Sequence, residues 1–193
     1  GDVIYNGARD NAVGTTTVLA MAENLAKYPT KRSALFILFT GEEKGLLGSS
    51  YYTENPIFPL ANTVTDLNID MVGRVDENHK KNHNYLYLIG ADKLSSDLHN
   101  LSEAVNKKYT NINLDYTYND ENDPNRFYYR SDHYNFAKHN IPVIFYFNGT
   151  HEDYHKPSDT PDKINYDLLE DRTKLIFYTA WEIANRKERL VLD

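Results

Sequence analysis

The sequence predicts one α/β domain built on a mostly parallel sheet. Three observations carry that expectation. Segments with helical periodicity alternate along the chain with short apolar runs of strand length. The run Ser33–Phe39 is apolar on both faces, as a buried strand of a parallel sheet requires. At 193 residues the chain can bury a sizeable core, and no repeat, linker or low-complexity stretch divides it, so residues 1–193 read as a single domain.

Residues 1–10 carry turn chemistry in Asn6–Gly7–Ala8–Arg9–Asp10 and read as a loop. Val13, Val18, Leu19, Ala22, Leu25 and Ala26 then fall at helical spacing, and Tyr28–Pro29 stops that helix. After strand 33–39 comes Gly41–Glu42–Glu43, followed by a short helix from Leu46 to Tyr52 that ends near Asn55–Pro56. Residues 63–71 suit a strand closing on Asp70, residues 75–84 a polar surface loop, and Tyr85–Ile89 another strand. Leu98, Leu101, Val105 and Tyr109 share one face of a helix over 95–109. Residues 112–118 suit an edge strand, and 119–130 a long polar loop closed by aromatics, the kind that often carries function. Ser131 is the expected N-cap of helix 132–139. Ile141–Phe147 reads as a buried strand, 148–165 as loop, and 166–188 as the closing helix.

Composition removes several function classes. Net charge is −7, which disfavours nucleic acid, since phosphate binding wants a basic face. There is no cysteine, so disulfides, thiolate metal sites and thiol nucleophiles are excluded. No run of 18 apolar residues spans a membrane, and no signal peptide is visible. The chain opens on Gly1–Asp2–Val3–Ile4 without a methionine, which suggests a mature product or a fragment.

Chemistry concentrates just after the predicted strands. Asp10, Glu42, Glu43, Asp70, Arg130, Asp132, His133, Tyr154 and His155 fall there, where open α/β sheets bind ligands. Two adjacent glutamates repel each other, and a neighbouring cation is the economical remedy. Opening a helix at its positive dipole end is the plainer one. A mixture of carboxylates and imidazole suits zinc or another borderline metal. Asp132 and His133 also fit purely structural roles, Asp159 fits a brace for the His155 loop, and His79, His83, His99 and His139 fit surface or helix-end positions.

Five ordered motifs make the pattern specific. Asn6-Gly-Ala-Arg-Asp10-Asn-Ala-Val-Gly14, Phe39-Thr-Gly-Glu42-Glu43-Lys-Gly-Leu-Leu-Gly-Ser49, Asn68-Ile-Asp70-Met-Val-Gly73, Ser131-Asp-His133 and Tyr154-His155-Lys-Pro-Ser-Asp159-Thr160 resemble the M28 family of zinc peptidases over about residues 5 to 165. The resemblance implies a three-layer α/β/α sandwich around a central mixed, mostly parallel sheet, with two zinc ions at its carboxyl edge. It implies that Asp10 bridges the metals, that Glu43 and His155 complete one zinc site, and that Asp70 serves the other. Glu42 resembles the general base, and Tyr154 and Arg130 resemble donors beside the oxyanion. The Tyr-His-x3-Asp-Thr context favours His155 over His151 as the ligand. A cis peptide after Asp10 is implied as well, with Gly7 and Gly14 giving the backbone room. A secreted or periplasmic setting is favoured on the same ground alone.

One departure stands out. The family places its first ligand in a His-x-Asp motif upstream of the bridging aspartate, and only nine residues precede Asp10 here, with no such motif. A missing N-terminal segment and an incomplete second zinc site are therefore expected. The activity implied is a zinc-dependent exopeptidase, an aminopeptidase acting on peptides. A glutaminyl cyclase is the first alternative, because it uses a single zinc held by an Asp, a Glu and a His. A non-catalytic receptor or scaffold domain is the second, disfavoured by the retention of Glu42 and the ligands.

Overall fold

The computed structural model describes residues 3–193. Helix α1 runs Val13–Lys27, α2 Leu47–Glu54, α3 Ser96–Tyr109, α4 His133–Ala137 and α5 Tyr166–Asn185. Strand β1 is Asp66–Ile69, β2 Tyr85–Ile89, β3 Asn113–Asp115 and β4 Val143–Phe147. The strands form one sheet in the order β1-β4-β2-β3. Pairs β1–β4 and β2–β3 are parallel, and β2–β4 is antiparallel. The sheet is thus mixed and mostly parallel, as expected.

Alternation along the strands builds two cores. Leu86, Leu88, Ile144 and Tyr146 face α1, α3 and α5, where they meet Met21, Leu98, Val105, Leu175 and Ile176. The intervening residues Tyr85, Tyr87, Ile89, Phe145 and Phe147 face the opposite side, packing on Met71 and Phe127. On that same side Val143 meets Tyr52 of α2 and Phe136 of α4. Helices on both faces of one sheet give the three layers. Caps fix two of the long helices: Ser95 Oγ accepts from Leu98 N at 3.1 Å, and Asn165 Oδ1 from Leu168 N at 3.1 Å.

Two expectations fail. Residues 33–39 form no strand. No described strand pairs with them, and Leu35 and Leu38 are 49% and 53% exposed. Only one side of the run is covered, where Ile37 and Phe39 pack near Tyr52 and Phe136. Apolarity on both faces states what a segment needs, not what the fold supplies. Ser131 is not the cap of α4 either; Asp132 holds that position, with no side-chain capping bond. The Ser131 hydroxyl instead accepts from Asn68 Nδ2 and donates to Asp70 Oδ2, each at 2.8 Å. Smaller differences are that the strand expected over 63–71 contracts to β1, that over 112–118 to β3, and the last helix stops at Asn185.

This layout ranks two leucines. Leu88 is fully buried between the helices and the sheet, so Leu88→Ala should lower unfolding free energy by about 3 kcal/mol, within the range for buried Leu truncation. Leu38→Ala should cost less than about 1 kcal/mol, as for a surface position. Urea denaturation of both variants checks the order; a Leu38 cost matching that of Leu88 would show that 33–39 is a core strand after all.

Candidate metal centre

The candidate side chains gather where β1 and β4, running parallel, reach their carboxyl ends. Asp70 directly follows β1. Asp10 sits in a single wide turn, Ala8–Ala12, closed by Ala12 N to Gly7 O at 2.9 Å. The Asp10–Asn11 peptide is cis, as the resemblance implied. Two glycines make this turn possible. A Cβ on Gly7, which has φ +59°, would stand 2.6 Å from the Asp10 carbonyl oxygen. One on Gly14 would stand 2.5 Å from the Ile69 carbonyl oxygen. Asn11 fastens the turn to the sheet, accepting from Gly14 N at 3.0 Å and donating to Ile69 O at 2.8 Å.

Glu42 and Glu43 occupy one tight turn, Glu42–Lys44, between Gly41 and Gly45, both at positive φ. His155 comes from the loop after β4 and has φ 56°. Its ring stacks on Tyr154 at 3.8 Å between centroids. His155 Nε2 stands 3.0 Å from Asp10 Oδ2 and 2.9 Å from Glu43 Oε1. Asp10, Glu43 and His155 each offer one ligand atom, and these atoms lie within 4.8 Å of one another. His151 is turned away: its Nδ1 accepts from Asp153 N at 3.1 Å, and burial pushes its pKa down to about 4. The loop carrying His155 is held by Asp153, which accepts from Arg74 Nη1 at 2.8 Å and Lys163 Nζ at 2.7 Å.

These residues open on a cavity of about 540 Å³, lined also by Glu42, Asp70, Arg130 and Tyr154. The electrostatics are those of crowded acids. Burial, then Asp70 and Glu43, push Asp10 well above the usual carboxylate range. Burial and the same neighbours push Glu42 up to about 8, against the pull of Arg130. Burial lifts Asp70 to about 6 although Ser131 donates to it. Asp70 Oδ1 is buried with no protein partner. That orphaned oxygen, beside three more carboxylates and an imidazole, is the donor set of a hard-to-borderline divalent cation, and the residues fit zinc. Asp70 lies beside the group of three without joining it. Burial and Asp10 raise the Tyr154 hydroxyl to about 12, leaving it a proton donor at neutral pH. Arg130 lies over the Phe127 ring at 4.8 Å and lines the cavity.

The sequence reading passed over one group and gave another the wrong role. Arg9 is wholly buried, its guanidinium bonded to main-chain carbonyls, and burial lowers its pKa to about 10, so it stays charged. Ser131 supports Asp70. Adjacency to Asp10 and Asp132 was the only signal for either. Asp132 itself accepts from Ser49 Oγ and serves the framework. His133 is fully buried, stacked on Phe145 at 4.8 Å, with Nε2 donating to the Tyr128 carbonyl at 2.7 Å.

Comparison with known proteins places these residues in context. The chain matches the family described as Peptidase family M28 over residues 1–180. It is 28% identical over 190 residues to Aminopeptidase YwaD of Bacillus subtilis (strain 168), an alignment covering 95% of this chain and 39% of that protein. The structure superposes on an aminopeptidase from Aneurinibacillus sp. strain AM-1 with TM-score 0.74 and 26% identity, covering 97% of this chain and 42% of the other. It superposes equally on BSAP, a zinc aminopeptidase from Bacillus subtilis, with TM-score 0.74 and 26% identity over 95% and 44% of the two chains. The chain therefore spans about two fifths of the length of these relatives.

His133 sets an acid limit on the fold. Burial pushes its pKa from 6.5 down to about 3. Between those values the unfolded chain binds a proton that the folded chain refuses. The neutral ring's contribution is therefore complete above about 6.5 and is lost as the pH falls toward 3. His133→Gln, whose amide can still donate to Tyr128, should flatten the fall of the urea midpoint between pH 6.5 and 4. An unchanged slope would assign the acid sensitivity to other groups.

Proposed function

The chain belongs to peptidase family M28, and from that premise we propose that it serves a zinc-dependent aminopeptidase, which hydrolyses the N-terminal bond of peptides. The observation that carries the proposal is the convergence of Asp10, Glu43 and His155, with Glu42 beside them and outside their ligand set. Those three residues would hold one zinc. Asp10 and Asp70 would hold a second, more weakly, because two carboxylates fall short of the three or four protein ligands usual for zinc. When bound, zinc makes water a usable nucleophile near neutral pH and polarises a carbonyl.

The side chains divide the remaining work. The acidic end of the cavity attracts the substrate's α-ammonium group. Glu42 takes the proton of the attacking water and passes it to the nitrogen of the leaving amine, so the peptide bond breaks as the new carboxyl group forms. The Tyr154 hydroxyl and the Arg130 guanidinium donate toward the carbonyl oxygen as it gains charge. Met71, Phe145 and Phe147 on the cavity wall exclude water and suit an apolar side chain.

Two substitutions separate ligand from base. Glu42→Gln should keep zinc affinity and cut turnover of an aminoacyl reporter by roughly 10²–10⁴-fold, the loss expected when general acid–base catalysis is removed. Glu43→Ala should lose the metal. Zinc stripped by Glu42→Gln and retained by Glu43→Ala would mean that the two roles are exchanged. Cyclisation of an N-terminal glutamine peptide without reporter hydrolysis would instead favour a single-zinc glutaminyl cyclase, for which Asp10, Glu43 and His155 are already a complete set.

A second measurement concerns stoichiometry. Titration with zinc should show one tight equivalent per chain and a second that dialysis removes. Asp70→Asn should abolish the weak equivalent and spare the tight one. Two equally tight equivalents would rule out the unequal sites.

A further inference from the structure

We propose that Arg9 and Asp159 are positioning residues of the metal centre, which together set where the Asp10 carboxylate stands. The inference rests on the reading above that Asp10, Glu43 and His155 hold zinc. Arg9 is one of the largest fully buried side chains, and no carboxylate pairs with it among the described residues. A guanidinium is costly to bury unless its N–H groups find acceptors. Its Nε donates to the Met71 carbonyl at 3.0 Å, and its Nη2 to the Gly149 carbonyl at 2.7 Å. Met71 follows Asp70, and Gly149 lies in the loop that carries His155. One side chain thus ties together the three segments that present Asp10, Asp70 and His155.

Asp159 completes the clamp from the far end of the His155 loop. Its Oδ2 accepts from the backbone N–H of Arg9 at 3.0 Å and of Asp10 at 3.1 Å, and its backbone oxygen accepts from Ala8 N at 3.2 Å. Neither residue offers a ligand atom to the group of three. They hold the backbone on which the Asp10 side chain is mounted. Partners that orient ligands commonly contribute 10- to 100-fold in metal affinity.

The test measures zinc affinity directly, by chelator competition, in the wild type and in Asp159→Ala, Asp159→Asn and Arg9→Lys. Far-UV dichroism and thermal melting of the zinc-free proteins accompany it. Asp159→Ala and Arg9→Lys should bind zinc roughly 10- to 100-fold more weakly while remaining folded. Asp159→Asn keeps an oxygen that can accept both amides, and should recover to within about threefold of the wild type. Cobalt put in place of zinc should show an altered visible spectrum in Asp159→Ala and a restored one in Asp159→Asn, which a role in stability alone would not produce. If Asp159→Ala does not fold, Arg9→Lys and Asp159→Asn decide the question. Folded Arg9→Lys protein binding zinc within twofold of the wild type overturns the positioning role. A wild type that binds no zinc overturns the metal reading, and this inference with it.

Discussion

Like charge held at close quarters is the constraint around which this molecule is arranged. Asp10, Glu42, Glu43 and Asp70 face one cavity at the carboxyl edge of β1 and β4, and burial together with their neighbours' negative charge raises the proton affinity of Asp10, Glu42 and Asp70. In water such acids would separate. Here they are delivered by segments that cannot move apart: a turn locked to the sheet by Asn11, a two-glycine turn, and the end of a central-sheet strand. The framework supplies the rigidity, and the cost of crowding becomes affinity for a cation.

The helices and the central strands were legible because their information is local. Amphipathic spacing marked α1 and α3, and the five apolar residues Tyr85–Ile89 coincide with β2. The segment 33–39 was misread because burial is a property of the partner as much as of the segment. Ser131 was misread for a related reason. A serine before a helix usually caps it, but here a buried carboxylate competed for the hydroxyl and won.

The site was legible in a different way. Residue types and motif order pointed to Asp10, Glu43 and His155, and the fold brings those three together although Glu43 and His155 stand 112 residues apart. What no pattern revealed was the arginine behind them. Arginine is almost never fully buried, so a reading from typical behaviour places Arg9 at the surface. Only the fold shows that its Nε and Nη2 donate to the carbonyls of Met71 and Gly149.

The bonds that fix Asp10 also say when the centre can exist. Arg9 N and Asp10 N reach Asp159 across 150 and 149 positions of chain. Contacts so distant in sequence must first overcome the entropy of closing a large loop, so they form only once the intervening strands and helices have assembled. No short stretch of this polypeptide can prefigure the three-residue group, and a partly folded chain has the ligands without the site. A metal held by the proposed ligands would bind the finished fold in preference to its precursors, and its binding energy would add to the stability of the native state alone.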